Sequence, residues 1–508
     1  MQSTGDTRDY PTAGLSPVAG LAYGTHVADR LRRCTLAGLL ENADVSGEAG
    51  SKECGSLIRI QLRLRGGSIH EARYQAHGCP ATLASASHVC ASVEGANILT
   101  AAALSEEQIC RDLGLVPEKL YTAGIALDAL HAALTAAVSS TTCEVDGPEE
   151  PSSGEGVLVG MSGGVDSAVA ALLLKEQGFR VVGVTLTLWN DPGVADERSC
   201  CSPESVSRAR RVAHSLGIPH LALDAKEVFY RQVVEYFVSE YASGRTPNPC
   251  AKCNSRVRIG ALVEAARSLG LSRVATGHYA RLTGAPPRLA RGLDPRKDQS
   301  YVLAEVSPEL LEHLIFPLGE MRKPAVRQLA AQAGIEGHSA PESQEICFVP
   351  DDDHKRFLRS RLGDLPGQVV DRGGASLGTH SGTYNFTIGQ RKGLRIAAGE
   401  PRYVVAIDAQ KREVVLGSVR EAEVSRIRVT GSVWHRTASG APLSVQVRSA
   451  GSALPVAELG RTADELDIFL AVPAVGVAPG QTAVVYEGDE VITAGTIAST
   501  GGGPWAQR

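Results

Sequence analysis

The stretch "GVLVGMSGGVDSAVAALLLKEQG", residues 156–178, decides the reading of the fold. Val157, Leu158 and Val159 make a short apolar run, and Val169, Leu172 and Leu173 then recur at helical spacing until Gly178 offers a C-cap. Ser162-Gly163-Gly164 therefore lies at a strand-to-helix turn. There Gly163 and Gly164 can take backbone angles closed to other residues, and the free N–H groups of the turn and first helical turn can converge on one anion. This is a phosphate cradle, but not of the Walker type: no GKS or GKT follows, and no lysine is placed to reach a terminal phosphate.

Downstream the segments alternate in the α/β manner. Apolar "VVGVTL" (181–186) is followed by helix-like "SPESVSRARRVAHSLG", then "IPHLALD", a long amphipathic stretch over 226–243, and "RVATGHY" (273–279). Strands interleaved with helices predict a parallel sheet covered on both faces. Beyond about residue 360 helices fade into short strand-like runs with glycine turns, "RYVVAID", "REVVLG", "LSVQVRS" and "QTAVVYEGDEVITAGTI", which predict an all-β, barrel-like tail. Upstream, the small-polar, Pro/Gly and acidic run "SSTTCEVDGPEEPSSGEG" (139–156) reads as a linker.

At 508 residues the chain exceeds one compact core. Hydrophobic content of 43% and charged content of 21% are those of a globular protein. There is no run of about 18 apolar residues, and the first residues lack a basic start followed by an apolar core, so a cytoplasmic protein with no membrane partner is expected. The net charge of −5 gives no global attraction for nucleic acid; an RNA partner would have to be met by local patches such as Arg391-Lys392 or Arg208 to Arg211, each of which also reads as a solvated face. Eleven cysteines, including the pair Cys200-Cys201 and the CxxC of Cys250 and Cys253, argue for thiol or metal chemistry rather than a secreted disulfide framework.

A second constellation is "GRTPNPCAKCNSRVRIGAL". Pro247 and Pro249 stiffen the loop, so Cys250 and Cys253 are expected on a constrained turn just ahead of a helix starting near Asn254, where a helix N-terminus stabilises a thiolate. Half of a structural zinc site is the competing reading, although the adjacent Cys200-Cys201 is a poor second half. A third thiol, Cys347, stands in "ESQEICFVP"; alone it reads as a core residue.

SGGVDS, TPNPCxxCN, ATGHYAR, KDQSYVL, ESQEICFVP and TIGQRKGL, in that order, closely resemble the tRNA-specific 2-thiouridylases of the MnmA type over residues 155 to the C-terminus. The SGGVDS turn itself is similar to the PP-loop of ATP pyrophosphatases. The resemblance implies that ATP, with Mg²⁺, adenylates the C2 oxygen of the wobble uridine of tRNA and that sulfur then replaces that oxygen. It implies an adenine nucleotide alpha hydrolase-like, Rossmann-like catalytic domain (155–355), a small central domain (356–425) and a C-terminal β-barrel (426–503). By the same matching Cys347 carries a persulfide and Cys253 is its partner, either attacking the persulfide or closing a Cys253–Cys347 disulfide.

Gly160, Met161, Ser162, Gly163, Gly164, Val165, Asp166, Ser167, Leu186 and Gly277 are then expected to line the ATP site, with Asp166 organising Mg²⁺. Asn248, Pro249 and Cys250 would flank the target base, with His278 nearby. Lys297, Asp298 and Gln299 would meet the anticodon arm, joined in the β tail by Arg448, Ser449 and Gln481. A flipped base held in a deep pocket is what the chemistry demands. Many family members carry aspartate where this chain has Cys250. Cys250, Cys253 and Cys347 could therefore together hold a [4Fe-4S] cluster, and spacing alone leaves persulfide relay and cluster both open.

Residues 23–138 lie outside that pattern. "ENADVSGEAGSKECGSLIRIQLRLRGGSIHEARYQAHGCPATLASAS" resembles the NifU/IscU iron–sulfur scaffolds, an α+β domain, with Cys54 and Cys79 at two of the three ligand positions. Thr122 stands near the third, and Ser56 replaces the aspartate after the first CG; His77, Cys90 and Cys110 are the nearest substitutes. The resemblance implies a kept scaffold fold and delivery of sulfur or a cluster, joined by residues 139–154 to the enzyme, with a cysteine desulfurase or sulfur relay protein as donor. Two other classes compete with this reading. A PP-loop ligase or amidotransferase would need a glutaminase site that the extension lacks. An iron–sulfur carrier with a vestigial PP-loop half would not keep every downstream motif intact.

Overall fold

The computed structural model describes residues 25–32, 35–51, 55–139, 155–189, 203–335, 346–349, 353–394, 396, 400–462 and 465–502. Cys54, Cys200, Cys201, Gln344, Glu345 and the linker beyond residue 139 up to 154 lie outside these residues.

The N-terminal unit is α+β. Helix α1 (Thr25–Arg32) precedes an antiparallel sheet β1-β2-β3 (Val45–Ser51, Ser56–Arg65, Ser68–His77), followed by α2 (Pro80–Val93) and α3 (Tyr121–Ser139). On β2 the alternate residues Ile58, Ile60 and Leu62 are fully buried, the period expected of a sheet with one covered face. Helix α3 crosses β1 so closely that a Cβ at Gly47 would lie 2.2 Å from the Ala133 nitrogen. The run Pro117–Val138 is long and apolar enough to cross a membrane by length and composition, but 61% of its apolar window is buried inside the protein, the signature of a core helix.

The central unit is a five-stranded parallel sheet in the order β10-β7-β4-β5-β6 (Leu314–Ile315, Arg273–Thr276, Gly156–Gly160, Arg180–Thr187, His220–Asp224). β4 lies at the centre with Val157, Leu158 and Val159 fully buried, as a strand covered on both faces must be. The chain runs outward through β5 and β6 and returns to the other side of β4 through β7, so the turns after β4 and β7 meet at the point where strand order reverses. Helix α4 (Val165–Glu176) follows β4, and α5 (Pro203–Ser215) follows β5. Past α4, Gly178 at φ +88° lets the Gly178 and Phe179 N–H groups bond back to Lys175 and Leu174, completing the expected C-cap.

The amphipathic stretch 226–242 is helical throughout, with one wider turn at Tyr230–Val234. A second helical run starts at α6 (Pro249–Cys253), passes through another wide turn at Asn254–Arg258 and ends as α7 (Ile259–Ser268).

After the helix His354–Leu362 the chain forms a four-stranded sheet, β12-β11-β14-β13 (Ser376–His380, Gly367–Asp371, Glu413–Gly417, Tyr403–Asp408). It ends in β15–β20 (Val424–Trp434, Leu443–Gln446, Leu454–Arg461, Glu465–Ala474, Thr482–Glu487, Glu490–Gly501), closed into a barrel by the β15–β20 pairing. The hairpin β8–β9 (Ala280–Thr283, Arg288–Arg291) leaves the central unit and joins the barrel's sheet through Ala290 opposite Glu490.

The N-terminal unit is docked as well as tethered. Helix α3 packs along the outer strand β6, and one continuous apolar core joins residues of both units. Arg210 bonds Asp128 at 2.5 Å, and the His214 ring meets the Ala102 carbonyl at 3.2 Å. Arg208 donates to the Gly163 carbonyl at 2.8 Å. Two of the arginines considered as an RNA patch are therefore engaged within the chain, because α5 turns one toward the glycine turn and the other toward the N-terminal unit.

Candidate active site

The Ser162–Ser167 turn is shaped by its own side chains. The Ser162 N–H donates to the Ser167 hydroxyl at 3.2 Å, and that hydroxyl donates to the Gly164 carbonyl at 3.0 Å. Gly163 has φ +72°, and a Cβ there would sit 2.6 Å from the Ser205 carbonyl oxygen. The expectation for Gly164 needs correction: at φ −93° it is an ordinary extended N-cap, so only Gly163 uses glycine's extra freedom. Gly277, after β7, is demanded by proximity: a Cβ would lie 2.7 Å from the Ser167 nitrogen and 2.8 Å from the Asp166 carbonyl carbon.

One cavity of about 380 Å³ opens over these turns. From the glycine turn and its flanks it is lined by Gly160, Met161, Ser162, Asp166, Ser167, Leu186 and Gly277. From the cysteine segments come Pro249, Cys250, Cys253 and Cys347, and from the remaining expected residues His278, Asp298, Gln299 and Ser449. Gly163, Gly164, Val165, Asn248, Lys297, Arg448 and Gln481 do not line it.

The helix bearing the cysteines begins at Pro249, not near Asn254, because Asn248 caps it: its side-chain oxygen accepts from the Ala251 N–H at 3.2 Å, and proline occupies the first helical position. Cys250 and Cys253 thus sit inside the first turns, Cys253 buried and Cys250 half-buried. Cys347 is half-buried and held by its neighbours, since Phe348 packs edge-on against Phe229, Phe237 and Phe357, and Val349 is buried. The apolar flanks that make Cys347 look like a core residue are the anchor that presents it to the cavity.

Several expected contact residues have work inside the chain. The Asp298 carboxylate accepts from the Gly292 and Ser300 N–H groups, the Ser300 hydroxyl and Arg291. The Gln299 side chain accepts from the Tyr279 N–H at 2.9 Å, and Gln481 donates to the Thr246 and Pro247 carbonyls at 3.0 and 3.2 Å, bracing the loop before α6. Arg448 and Ser449 are exposed. His278 bonds the Thr276 hydroxyl at 2.8 Å; burial, helped by Arg258, pushes its pKa down to about 3, so it is a neutral hydrogen-bonding group.

Residues that sequence reading missed lie behind the cavity lining and brace it. Lys323 and Tyr279 both bond Asp166, and Lys252, between the two cysteines, is buried against Glu305 and Thr496. Their only local signal is a proline after Lys323 marking a helix start; nothing in the sequence ties these side chains to the turn or the barrel.

Cys250, Cys253 and Cys347 line the same cavity, and among the described residues no group of three or more His, Cys, Asp or Glu is arranged to hold a metal ion. In the N-terminal unit Thr122 is buried and bonded to Ser85 at 3.1 Å and Lys119, while Ser56 meets Thr82 at 3.2 Å and Thr82 meets the Cys79 sulfur at 3.4 Å. Burial alone would raise the Cys79 thiol, but the Thr82 hydrogen bonds and the Lys119 charge outweigh it and leave its pKa below the ordinary value. Of the substitutes, Cys90 is fully buried with its pKa raised by burial, Cys110 is pushed up to about 11 by burial, and His77 is exposed.

Comparison with known proteins agrees with this layout. Domain-family profiles match in four blocks: a NifU-like N terminal domain over 22–144, a tRNA methyl transferase HUP domain over 155–351, a tRNA methyl transferase PRC-barrel domain over 355–418, and an aminomethyltransferase beta-barrel domain over 424–497. The chain is 46% identical to the bifunctional protein NifU/MnmA of Rubrobacter xylanophilus over 486 residues, 94% of this chain and 98% of that one. It is also 46% identical to the tRNA-specific 2-thiouridylase MnmA of Acidothermus cellulolyticus, over 68% of this chain and 98% of that one. Among solved structures, an iron–sulfur cluster assembly scaffold protein of Fervidobacterium islandicum aligns with 23% of this chain and 98% of its own at 18% identity and a TM-score of 0.20. On the strength of full-length identity to the Rubrobacter protein, the chain belongs to the NifU/MnmA family, in which a NifU-like domain is fused to a tRNA 2-thiouridylase.

Proposed function

We propose that the chain is an ATP-dependent tRNA 2-thiouridylase in which Cys347 carries the sulfur and Cys253 completes its transfer. The observation supporting this is that the glycine turn, Gly277, Cys253 and Cys347, contributed by four separate segments, line one cavity. The turn and the first N–H groups of α4 bind the triphosphate. Asp166, which lines the cavity, is the carboxylate that would hold Mg²⁺; such sites use one or two carboxylates plus phosphates, and the ion when bound offsets phosphate charge.

The uridine enters beside Pro249 and Cys250, and neutral His278 orients it by hydrogen bonding. Once the C2 oxygen carries the adenylyl group, the terminal sulfur of a Cys347 persulfide attacks C2 and AMP departs. The Cys253 thiolate then attacks the Cys347 sulfur, closing a Cys253–Cys347 disulfide and releasing the 2-thiouridine; an external thiol reduces the disulfide and a sulfur donor reloads Cys347. No step of this reading passes through a cluster. In the N-terminal unit Cys79, with its lowered pKa, suits transient sulfur handling.

The test is incubation of the purified chain with tRNA, ATP, Mg²⁺ and a cysteine desulfurase with cysteine. The reading expects AMP, pyrophosphate and 2-thiouridine in nuclease digests. Pyrophosphate release without any thiolated nucleoside, under donor-saturated conditions, would reject it.

A further inference from the structure

The glycine turn has no lysine of its own, yet the fold delivers one. Lys323 opens helix α8 (Lys323–Gln332) and places its Nζ 2.6 and 2.7 Å from the two carboxylate oxygens of Asp166. Tyr279 donates to the same carboxylate at 2.7 Å, and its ring lies under the ammonium, 5.8 Å from Nζ to centroid. The backbone of Lys323 is fixed separately, its N–H donating to Asp294 at 3.0 Å. The root of the side chain is therefore held independently of the contacts that its tip makes with Asp166 and Tyr279. Both groups remain reachable, with side chains 15% exposed for Lys323 and 34% for Asp166, and Asp166 lines the cavity.

A carboxylate in the first turn of the phosphate-binding helix would repel an incoming triphosphate unless a cation neutralised it. A lysine does this with a compact charge on a flexible stem that can move by a few ångströms. Resting on the proposed function, we infer that Lys323 is a catalytic residue for the adenylation step. It pairs with Asp166 in the structure and turns to the β- and γ-phosphates when ATP binds. In that step the uridine O2 bonds to the α-phosphorus and the α–β anhydride bond breaks. Its electron pair leaves on pyrophosphate, and the uridine N3 proton is lost to solvent. Charge builds on the leaving group, where a fixed cation is most effective.

The experiment compares wild type, K323M and K323R for kcat and KM of ATP in tRNA-dependent pyrophosphate release, for inhibition by added pyrophosphate, and for thermal unfolding. K323M is expected to lose about a hundredfold in kcat/KM for ATP and to bind pyrophosphate about tenfold more weakly, with tRNA affinity unchanged. K323R is expected to recover much of the rate, since the charge is kept. A K323M protein within about threefold of wild type overturns the inference. So does one that is slow only because its melting temperature has fallen while pyrophosphate inhibition is unchanged, which would make Lys323 a structural partner of Asp166. K323Q, read against the same limits, serves if K323M folds poorly. Failure of the wild type itself to release pyrophosphate with tRNA would reject the proposed function rather than the role of Lys323.

Discussion

Gly277 couples two turns that are more than a hundred residues apart. Its missing side chain lets the turn after β7 touch the backbone of Asp166 and Ser167, so Gly277→Ala must push the two turns apart. Displacements of about 1 Å at a reacting centre cost about a hundredfold in rate. Gly277→Ala is thus expected to lower tRNA-dependent pyrophosphate release at least about tenfold while leaving the far-ultraviolet spectrum unchanged; steady-state kinetics with ATP would check it. Cys347 makes the opposite case, since its flanks do the anchoring and its sulfur is spare. Cys347→Ser should release pyrophosphate at near the wild-type rate and form no 2-thiouridine, and nucleoside mass spectrometry separates the two steps.

Among the elements, the short helix α6 is held from one side by the barrel. Lys252 pairs with Glu305 and donates to Thr496 on β20, and Glu305 also accepts from Thr482 on β19 at 2.8 Å. Both charges are buried, with 5% and 6% side-chain exposure, so removing one strands the other. Glu305→Ala is expected to cost about 3–5 kcal/mol of unfolding free energy, measured by urea titration, and the double change Lys252→Met with Glu305→Leu to regain most of it. If the single variant is as stable as wild type, the barrel does not brace the cysteine helix through this pair. At this scale the sequence was partly readable. Strand β4 and helix α4 announce themselves through periodicity and a terminal glycine, whereas α6 starts earlier than its prolines suggest because the Asn248 cap competes successfully with the loop.

For the molecule as a whole, the docking of the N-terminal unit rests on histidines. His131, His214 and His220 cluster where α3, α5 and β6 meet, with the His131 and His214 rings 6.0 Å apart and Arg210 close by. Burial is the first cause of a lowered pKa in all three, reinforced by Arg210, and His220 falls to about 3. Hydrogen bonds to Ala102 at His214 and to Thr185 at His220 do not reverse this. A histidine depressed in the folded state binds fewer protons there than when unfolded. Its contribution is therefore intact above the unfolded value near 6.5 and is lost as pH falls below it, by about 1.4 kcal/mol per pH unit per group. The full chain should melt at clearly lower temperature at pH 5.5 than at pH 7.5, and His131→Phe should flatten that dependence. An unchanged melting temperature across this range would show that these rings are not buried neutral at the interface.

The sequence by itself determined the order of units, the α/β class of the catalytic part and the place of the phosphate turn, because each depends on short-range periodicity, on glycine's backbone freedom and on N–H groups left free at a helix start. It also supplied the cysteines, whose chemistry is intrinsic to the residue. Tertiary structure alone decided which of those residues share a cavity. It spent Arg208, Asp298 and Gln481 on internal bonds, and it brought Lys323 across the fold to Asp166. Contacts between residues far apart in the chain are fixed by how whole elements pack, and a local pattern carries no information about that.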